Sequence, residues 1–305
     1  MGKMPAGKFL RLNISGEEID AHYHERGKGD NTVIFVQTGG AATSGYMCWY
    51  LNLDAFADAG YHVFAPDSVG FGFTQRVSEA GEKGGSSTPK FILAFMDKLA
   101  IPKAHLVGNS AGSMAITRIA VDVPGRVKSL TLTGGEPRLE TEESRVIAAK
   151  LGQTERMNFV RQMLSKDKVE IGDMRKATAD FFYDPDHPAI DEITEMRLEV
   201  INRPGMLTKE RAHASKQVER GRANYQALDL MRIDAPCNLI HGRDERFFFA
   251  KEEAPVLLEC AIKPFTVIPN CNCTVLAHCG HWPQIEKAET FNALSLEFLK
   301  DADKY

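Results

Sequence analysis

Ala104-His-Leu-Val-Gly-Asn-Ser-Ala-Gly-Ser113 decides how this chain is read. A short apolar run ends in Gly108-Asn-Ser110-Ala-Gly112 and passes at once into a helix-like segment. Strand, Gly-x-Ser-x-Gly, helix is the sequence form of a nucleophile elbow, in which a serine on a strained turn presents its Oγ over the sheet edge. The flanking glycines are needed because side chains there would collide across the bend. With 25 glycines in 305 residues the pentapeptide alone is a weak signal, so the order of elements around it must carry the reading.

Outward from Ser110, apolar runs predict strands at 8–15, 19–25, 32–37, 62–67, 105–109, 127–133, 238–241 and 265–269. Helical patterns fall at 49–59, 89–99, 111–123, 251–261 and 283–299. A β-meander followed by β-α repeats implies an α/β fold: a mostly parallel eight-stranded sheet with helices on both faces. From Pro137 to Met231 the strand signal fades into helical, charged, Met-rich sequence, with Met157, Met163, Met174, Phe181, Met196 and Met206. The chain therefore divides into a core of residues 1–136 and 233–305 and a helical insertion of 137–232 after the sixth strand. Two roles suit that insertion, a lid over the sheet's carboxyl edge or a decoration that packs its methionines into the core.

Composition narrows the class. At 43% hydrophobic, 26% charged and net charge −4, the chain suits a globular fold and argues against nucleic-acid or anionic-membrane partners. The first residues lack the apolar core of a signal peptide and no apolar stretch is long enough to span a bilayer, so a cytoplasmic location is expected. Six cysteines in this length make no disulfide scaffold. Cys271, Cys273 and Cys279 cluster near His278 and His281, but their spacing fits no common zinc pattern, and neither metal nor cofactor is expected.

An activated serine needs a base within reach and an acid to orient it, in the chain order Ser, acid, His for a strand-edge elbow. Leu239-Ile-His-Gly-Arg-Asp-Glu-Arg-Phe-Phe-Phe249 offers carboxylates after a strand, and His278-Cys-Gly-His-Trp-Pro-Gln284 offers His281 in the loop before the last helix. An oxyanion hole needs two converging backbone N–H groups. Ala111, after the nucleophile, supplies one, and Gly39 and Gly40 in Gln37-Thr-Gly-Gly-Ala-Ala42 supply the other. That loop carries neither Gly-x-Gly-x-x-Gly nor a Gly-Lys-Ser/Thr ending, which excludes the usual nucleotide sites.

Taken together, Ala104–Gly112, Phe182-Tyr-Asp184, Gly242-Arg-Asp-Glu-Arg-Phe247, Cys279-Gly-His-Trp282 and Glu286–Leu299 resemble the α/β-hydrolase fold, and within it the meta-cleavage product hydrolases. The resemblance runs from about Phe9 to Leu299. It implies cleavage of a carbon–carbon bond in a 2-hydroxy-6-oxo-hexa-2,4-dienoate-type compound during aromatic catabolism. It also implies a small-molecule substrate and a homo-oligomer, dimer or larger. Arg197 takes the place of the family's arginine for the dienoate carboxylate, suited by its planar fork. Asn109, Trp282 and Phe247 match positions beside the substrate, and Phe181 and Met163 are candidates for lining the far pocket. Ser110 and His281 then form the catalytic pair.

Three departures stand out. The family's His-Gly start of the glycine loop is Gln37-Thr38 here, and its nearby Asn is Cys48. The position of its catalytic Asp is Glu245, with Asp244 as fallback and Glu136 third. These departures leave room for an ester or lactone hydrolase. A cofactor-free dioxygenase and a non-catalytic ligand receptor are the remaining readings.

Overall fold

Thr32–Val36 reads as five apolar-rich residues in a row, and each face of that strand has its own core. Val33 and Phe35 enter one apolar cluster while Ile34 and Val36 enter the other, as the two-residue period of a strand requires. A strand buried on both faces is the mark of a parallel sheet covered by helices on each side.

The computed structural model describes residues 4–76, 87–135, 139–151, 154–217, 225–245 and 254–304. Its eight strands are β1 (Lys8–Ile14), β2 (Glu17–Arg26), β3 (Thr32–Val36), β4 (His62–Pro66), β5 (Ala104–Asn109), β6 (Val127–Thr133), β7 (Cys237–Gly242) and β8 (Cys271–Leu276). They lie in the order β1-β2-β4-β3-β5-β6-β7-β8. β1 and β2 pair antiparallel, β2 meets β4 antiparallel, and every later pairing is parallel. The carboxyl ends of β3, β5, β6 and β7 therefore open on one edge, where an α/β sheet binds its ligands.

Three expected elements fall elsewhere. The last strand is not at 265–269: Pro264 opens a 3-10 turn over Lys263–Thr266, and the strand is Cys271–Leu276. An edge strand built on half-exposed Cys, Asn and Thr carries no apolar run to betray it. The helix expected at 49–59 is two short ones, α1 (Gly45–Trp49) and α2 (Leu53–Asp58). Ser44 caps the first by accepting from the Met47 N–H at 3.2 Å, and the Asn52 amide is drawn off to the Gln284 carbonyl. The helix expected at 283–299 breaks at Lys287, which leaves helical dihedrals between Pro283–Glu286 and Ala288–Ala302.

Between β6 and β7 the described residues form the helices α3 (Glu142–Leu151), α4 (Glu155–Ser165), α5 (Ile171–Ala179), α6 (Ala189–Ile201), α7 (Met206–Gln217) and α8 (Ala227–Leu230), with one isolated parallel bridge between Leu139 and Tyr225. Met163, Met174, Met196 and Met206 are buried in the same cluster as Val33, Phe35 and Val107 of the sheet. Those four methionines are core. Cys271 and Cys273 alternate along β8, and Cys279 is buried beyond its end. Among the described residues no group of three His, Cys, Asp or Glu is arranged to hold a metal. No helix among them is long and apolar enough to cross a membrane.

Candidate active site

β5 ends at Asn109 and a helix runs from Ala111 to Asp122, so Ser110 is the single residue that turns the chain. It does so at φ 54° and ψ −114°, a conformation an L-residue holds only when its surroundings over-determine it. Those surroundings are specific. A Cβ on Gly112 would lie 2.2 Å from the Val36 carbonyl oxygen, and one on Gly108 would lie 2.6 Å from the Gly112 carbonyl carbon. Ser113 Oγ donates to the Gly108 carbonyl at 2.6 Å and accepts from the Thr133 N–H at 3.1 Å, tying the elbow to β6. Although Ser110 occupies the N-cap position, its hydroxyl does not cap the helix and makes no hydrogen bond to a described residue.

The loop after β3 reaches the same place. A Cβ on Gly39 would sit 3.1 Å from Ala111 Cβ, which puts Gly39 beside the residue after the elbow. Gly40 has φ 141° and Ala42 φ 59°, so the loop turns sharply over the start of the helix. The Ala111 N–H, in the helix's first turn, has no intrahelical acceptor. Gln37, where the resembling family has histidine, accepts from the Ser68 N–H at 3.0 Å and so braces the loop after β4. Cys48 is wholly buried against the Thr38 backbone, and burial pushes its thiol up to about 12, so it stays a neutral filler.

His281 is buried and its Nδ1 lies 2.7 Å from Glu245 Oε1. The other Glu245 oxygen is 3.6 Å from Nε2 of His241, a buried histidine on β7. Asp244 is placed elsewhere. Its Oδ2 accepts from the His278 N–H at 2.7 Å and pairs with Arg243 at 3.2 Å, holding the turn before His281. Glu136 and Phe247 lie outside the described residues.

Asn109 faces the protein. Its Nδ2 donates to the carbonyls of Thr133 and His281, both at 3.2 Å, and to Gln284 Oε1 at 3.4 Å. It steadies the backbone of His281 through its amide hydrogens, while its Oδ1 has no hydrogen-bond partner among the described residues. Trp282 is also fully buried, stacked on Phe181 at 3.9 Å with 9° between the rings and edge-on to Phe182. Phe181 further stacks on the His281 ring at 5.6 Å, and its carbonyl accepts the His281 N–H at 2.8 Å.

Arg197, on α6, is 1% exposed. Its Nε and Nη2 donate to the Ala41 carbonyl at 3.2 and 2.9 Å, and Nη1 donates to Thr178 Oγ1 at 2.9 Å. It forms no ion pair with a described carboxylate. Burial pulls the guanidinium down to about 10, offset in part by Glu210. Glu210 is buried on α7, accepts from the Ala42 N–H at 3.3 Å, and is itself pushed up by burial. The insertion thus grips both sides of the Ala41–Ala42 peptide, within the loop that carries Gly39 and Gly40.

Comparison with known proteins fits this geometry. Residues 31–288 match the family profile described as the alpha/beta hydrolase fold. Two Pseudomonas and Paraburkholderia phymatum proteins, both named 2-hydroxy-6-oxononadienedioate/2-hydroxy-6-oxononatrienedioate hydrolase, are 31% and 30% identical over 297 residues. Each alignment covers 96% of this chain, with 97% and 95% of the relative. The chain belongs to the α/β-hydrolase family, among its meta-cleavage product hydrolases. A crystal structure of a meta-cleavage product hydrolase from Pseudomonas fluorescens IP01 superposes on this hydrolase with a TM-score of 0.75 at 27% identity, covering 96% of this chain and 98% of that one.

His241, Thr178, Glu210 and Glu286 were not singled out from sequence. His241 stands openly in Leu239-Ile-His-Gly242, three residues before Asp244 and four before Glu245, and was readable as a neighbour of the acid. The rest depend on tertiary contacts with no local signal.

Proposed function

We propose that this hydrolase cleaves the carbon–carbon bond to the C6 carbonyl of a 2-hydroxy-6-oxo-hexa-2,4-dienoate-type ring-fission product. Arg197 carries the proposal. A guanidinium has five N–H donors, and three here are spent on Ala41 and Thr178, leaving one on each terminal nitrogen. A buried cation without an ion pair is costly unless an anion arrives, and two parallel N–H groups match a carboxylate.

In this reading Arg197 anchors the dienoate carboxylate while the dienol loses its 2-hydroxyl proton and takes one up at C5 to give its keto form. His281, oriented by Glu245, moves protons to and from the reacting atoms. Ser110 either attacks C6 or activates the water that does. The N–H groups of Gly39 and Ala111, with Gly40 shaping the loop, receive the oxyanion, and the bond to C6 breaks as C5 leaves with the electron pair stabilised by the keto acid. Water ends as the hydroxyl of the new acid and the hydrogen on C5. Asn109 and Trp282 act by holding the His281 segment. The Ser110–His281 contact closes in the substrate complex, as catalytic hydrogen bonds of unliganded sites often do. The 137–232 insertion serves as the lid that sets the substrate's side group, and the molecule works as a homo-oligomer, which light scattering would check.

Ring-fission dienoates are strongly coloured and C–C hydrolysis bleaches them. Purified protein is expected to bleach a panel of such dienoates, with Ser110→Ala slowed by orders of magnitude. Unchanged colour together with Ser110-dependent hydrolysis of aryl esters would replace this reading by an esterase. Oxygen uptake that survives Ser110→Ala would replace it by a dioxygenase.

A further inference from the structure

Glu286 stands at the end of the short helix that follows Trp282, and it is 9% exposed. Its two oxygens take three backbone N–H groups. Oε2 accepts from Gly280 at 2.6 Å, and Oε1 accepts from Tyr183 at 2.8 Å and Asp184 at 3.0 Å. Gly280 immediately precedes His281, whereas Tyr183 and Asp184 belong to the insertion, about a hundred residues away in sequence. One carboxylate therefore joins the base's loop to the segment that carries Phe181.

The two chains approach so closely there that only glycine fits. A Cβ on Gly280 would lie 2.6 Å from the Phe181 carbonyl oxygen and 2.8 Å from the Tyr183 nitrogen. Around this contact the Phe181 carbonyl holds the His281 N–H, and the Phe181 ring lies flat on Trp282. His281 is thus fixed on both flanks by a segment whose register Glu286 sets. Burial raises the Glu286 carboxyl above its usual range, and the three N–H donors offset part of that rise.

We propose that Glu286 is a positioning residue for the base: by clamping Gly280 to Tyr183–Asp184 it holds the His281 imidazole in register with Ser110. It touches no reacting atom. The proposal rests on His281 acting as the base of the reaction given above.

Two variants disturb the clamp by different routes. In Glu286→Gln one oxygen becomes an NH2 that faces a backbone N–H, and keeping the Tyr183–Asp184 pair sacrifices Gly280. In Gly280→Ala the carboxylate stays and the methyl forces the two segments apart. Each variant is compared with the unmodified enzyme on a dienoate and on an aryl ester, with folding checked by circular dichroism. Both are expected to lose kcat by about tenfold to a hundredfold, the scale set by small misplacement of a catalytic group. KM for the dienoate stays within about threefold, because Arg197 is held separately by Ala41 and Thr178. The pH profile of kcat shifts in the same direction in both, and the downfield proton resonance between His281 Nδ1 and Glu245 broadens. Folded variants that keep kcat within about twofold and an unshifted pH profile overturn the proposal, even with a lowered melting temperature, for that is the signature of a merely structural clamp. If the unmodified protein cleaves only esters, the reading of the substrate fails, but the ester arm still tests the clamp.

Discussion

Replacing Arg197 by methionine separates what the protein needs from what the substrate needs. The descent of the guanidinium to about 10 corresponds to roughly 3 kcal/mol of disfavour for the charge in the folded, unliganded protein. Methionine removes that burden and fills most of the volume. Against this, the Ala41 carbonyl loses both its donors, which costs about 1–3 kcal/mol. Thr178 Oγ1 keeps its bond to the Met174 carbonyl and suffers less. The opposing contributions are of the same order, so urea unfolding of Arg197→Met should agree with the unmodified protein within about 2 kcal/mol. Binding has no such compensation. Truncating one partner of a buried charge pair costs about 2–5 kcal/mol, or about thirtyfold at the low end and over a thousandfold at the high end. The assay is kcat/KM for a coloured dienoate and for its methyl ester with both proteins. The variant should lose at least about thirtyfold on the acid and much less on the ester, so that the preference for the acid disappears. Equal losses on both would mean that Arg197 serves only to hold Ala41. A carboxylate preference that survives the substitution would remove Arg197 from the substrate altogether.

Glu245→Gln should lower kcat by about 10⁴, as loss of a triad's orienting acid does, whereas Asp244→Asn, which touches the His278 N–H and not His281, should cost less than about tenfold. Steady-state kinetics on both variants checks the pair, and a reversed order would move the acid to Asp244. Ser110→Gly relieves the strain at φ 54° and should raise stability to urea by about 1–2 kcal/mol while abolishing turnover. Ser110→Ala keeps the strain and should show no such gain. His105 is buried between Ser129 and Asp303, and burial pulls its imidazole down to about 4. The unfolded chain takes up that proton near pH 6.5, so the stabilisation is full above about 6.5 and fades as pH falls towards 4, by roughly 3 kcal/mol in all. Unfolding followed across that window should lose this slope in His105→Gln. An identical slope in both proteins would show that other groups carry it.

What the sequence disclosed follows from the range of each interaction. Val127–Thr133 and Ala111–Asp122 were legible because an apolar pattern and a Gly-x-Ser-x-Gly bend are local properties. β8 was not, because a half-exposed edge strand needs no apolar run and its cysteines imitate a loop cluster. Gly39 lies beside Ala111, the residue after Ser110. Glu245 could be ranked only through family resemblance, since nothing local separates it from Asp244. The geometry separates them by sending one carboxylate to the His281 ring and the other to a backbone N–H. Asn109 is a related case: a motif position records that an amide is needed but not which way it faces.

The placement of the insertion constrains how a substrate enters. Arg197 and Glu210 hold the Ala41–Ala42 peptide beside Gly39 and Gly40, and Phe181, Tyr183 and Asp184 hold the loop of His281. Both backbone segments that flank Ser110 are therefore fastened to the insertion. Swinging it away as one body would break these bonds and expose Met163, Met174, Met196 and Met206, which share a core with the sheet. Exposing each such side chain costs about 1.5–3 kcal/mol, so the four together approach the whole stability of an ordinary domain. Wholesale opening is excluded on that scale, and access must come from local motion that leaves Arg197, Phe181 and Glu286 in place. Changes of side-group preference made by substitution in the insertion will consequently reach kcat as well as KM, most strongly where the altered residue touches one of those three.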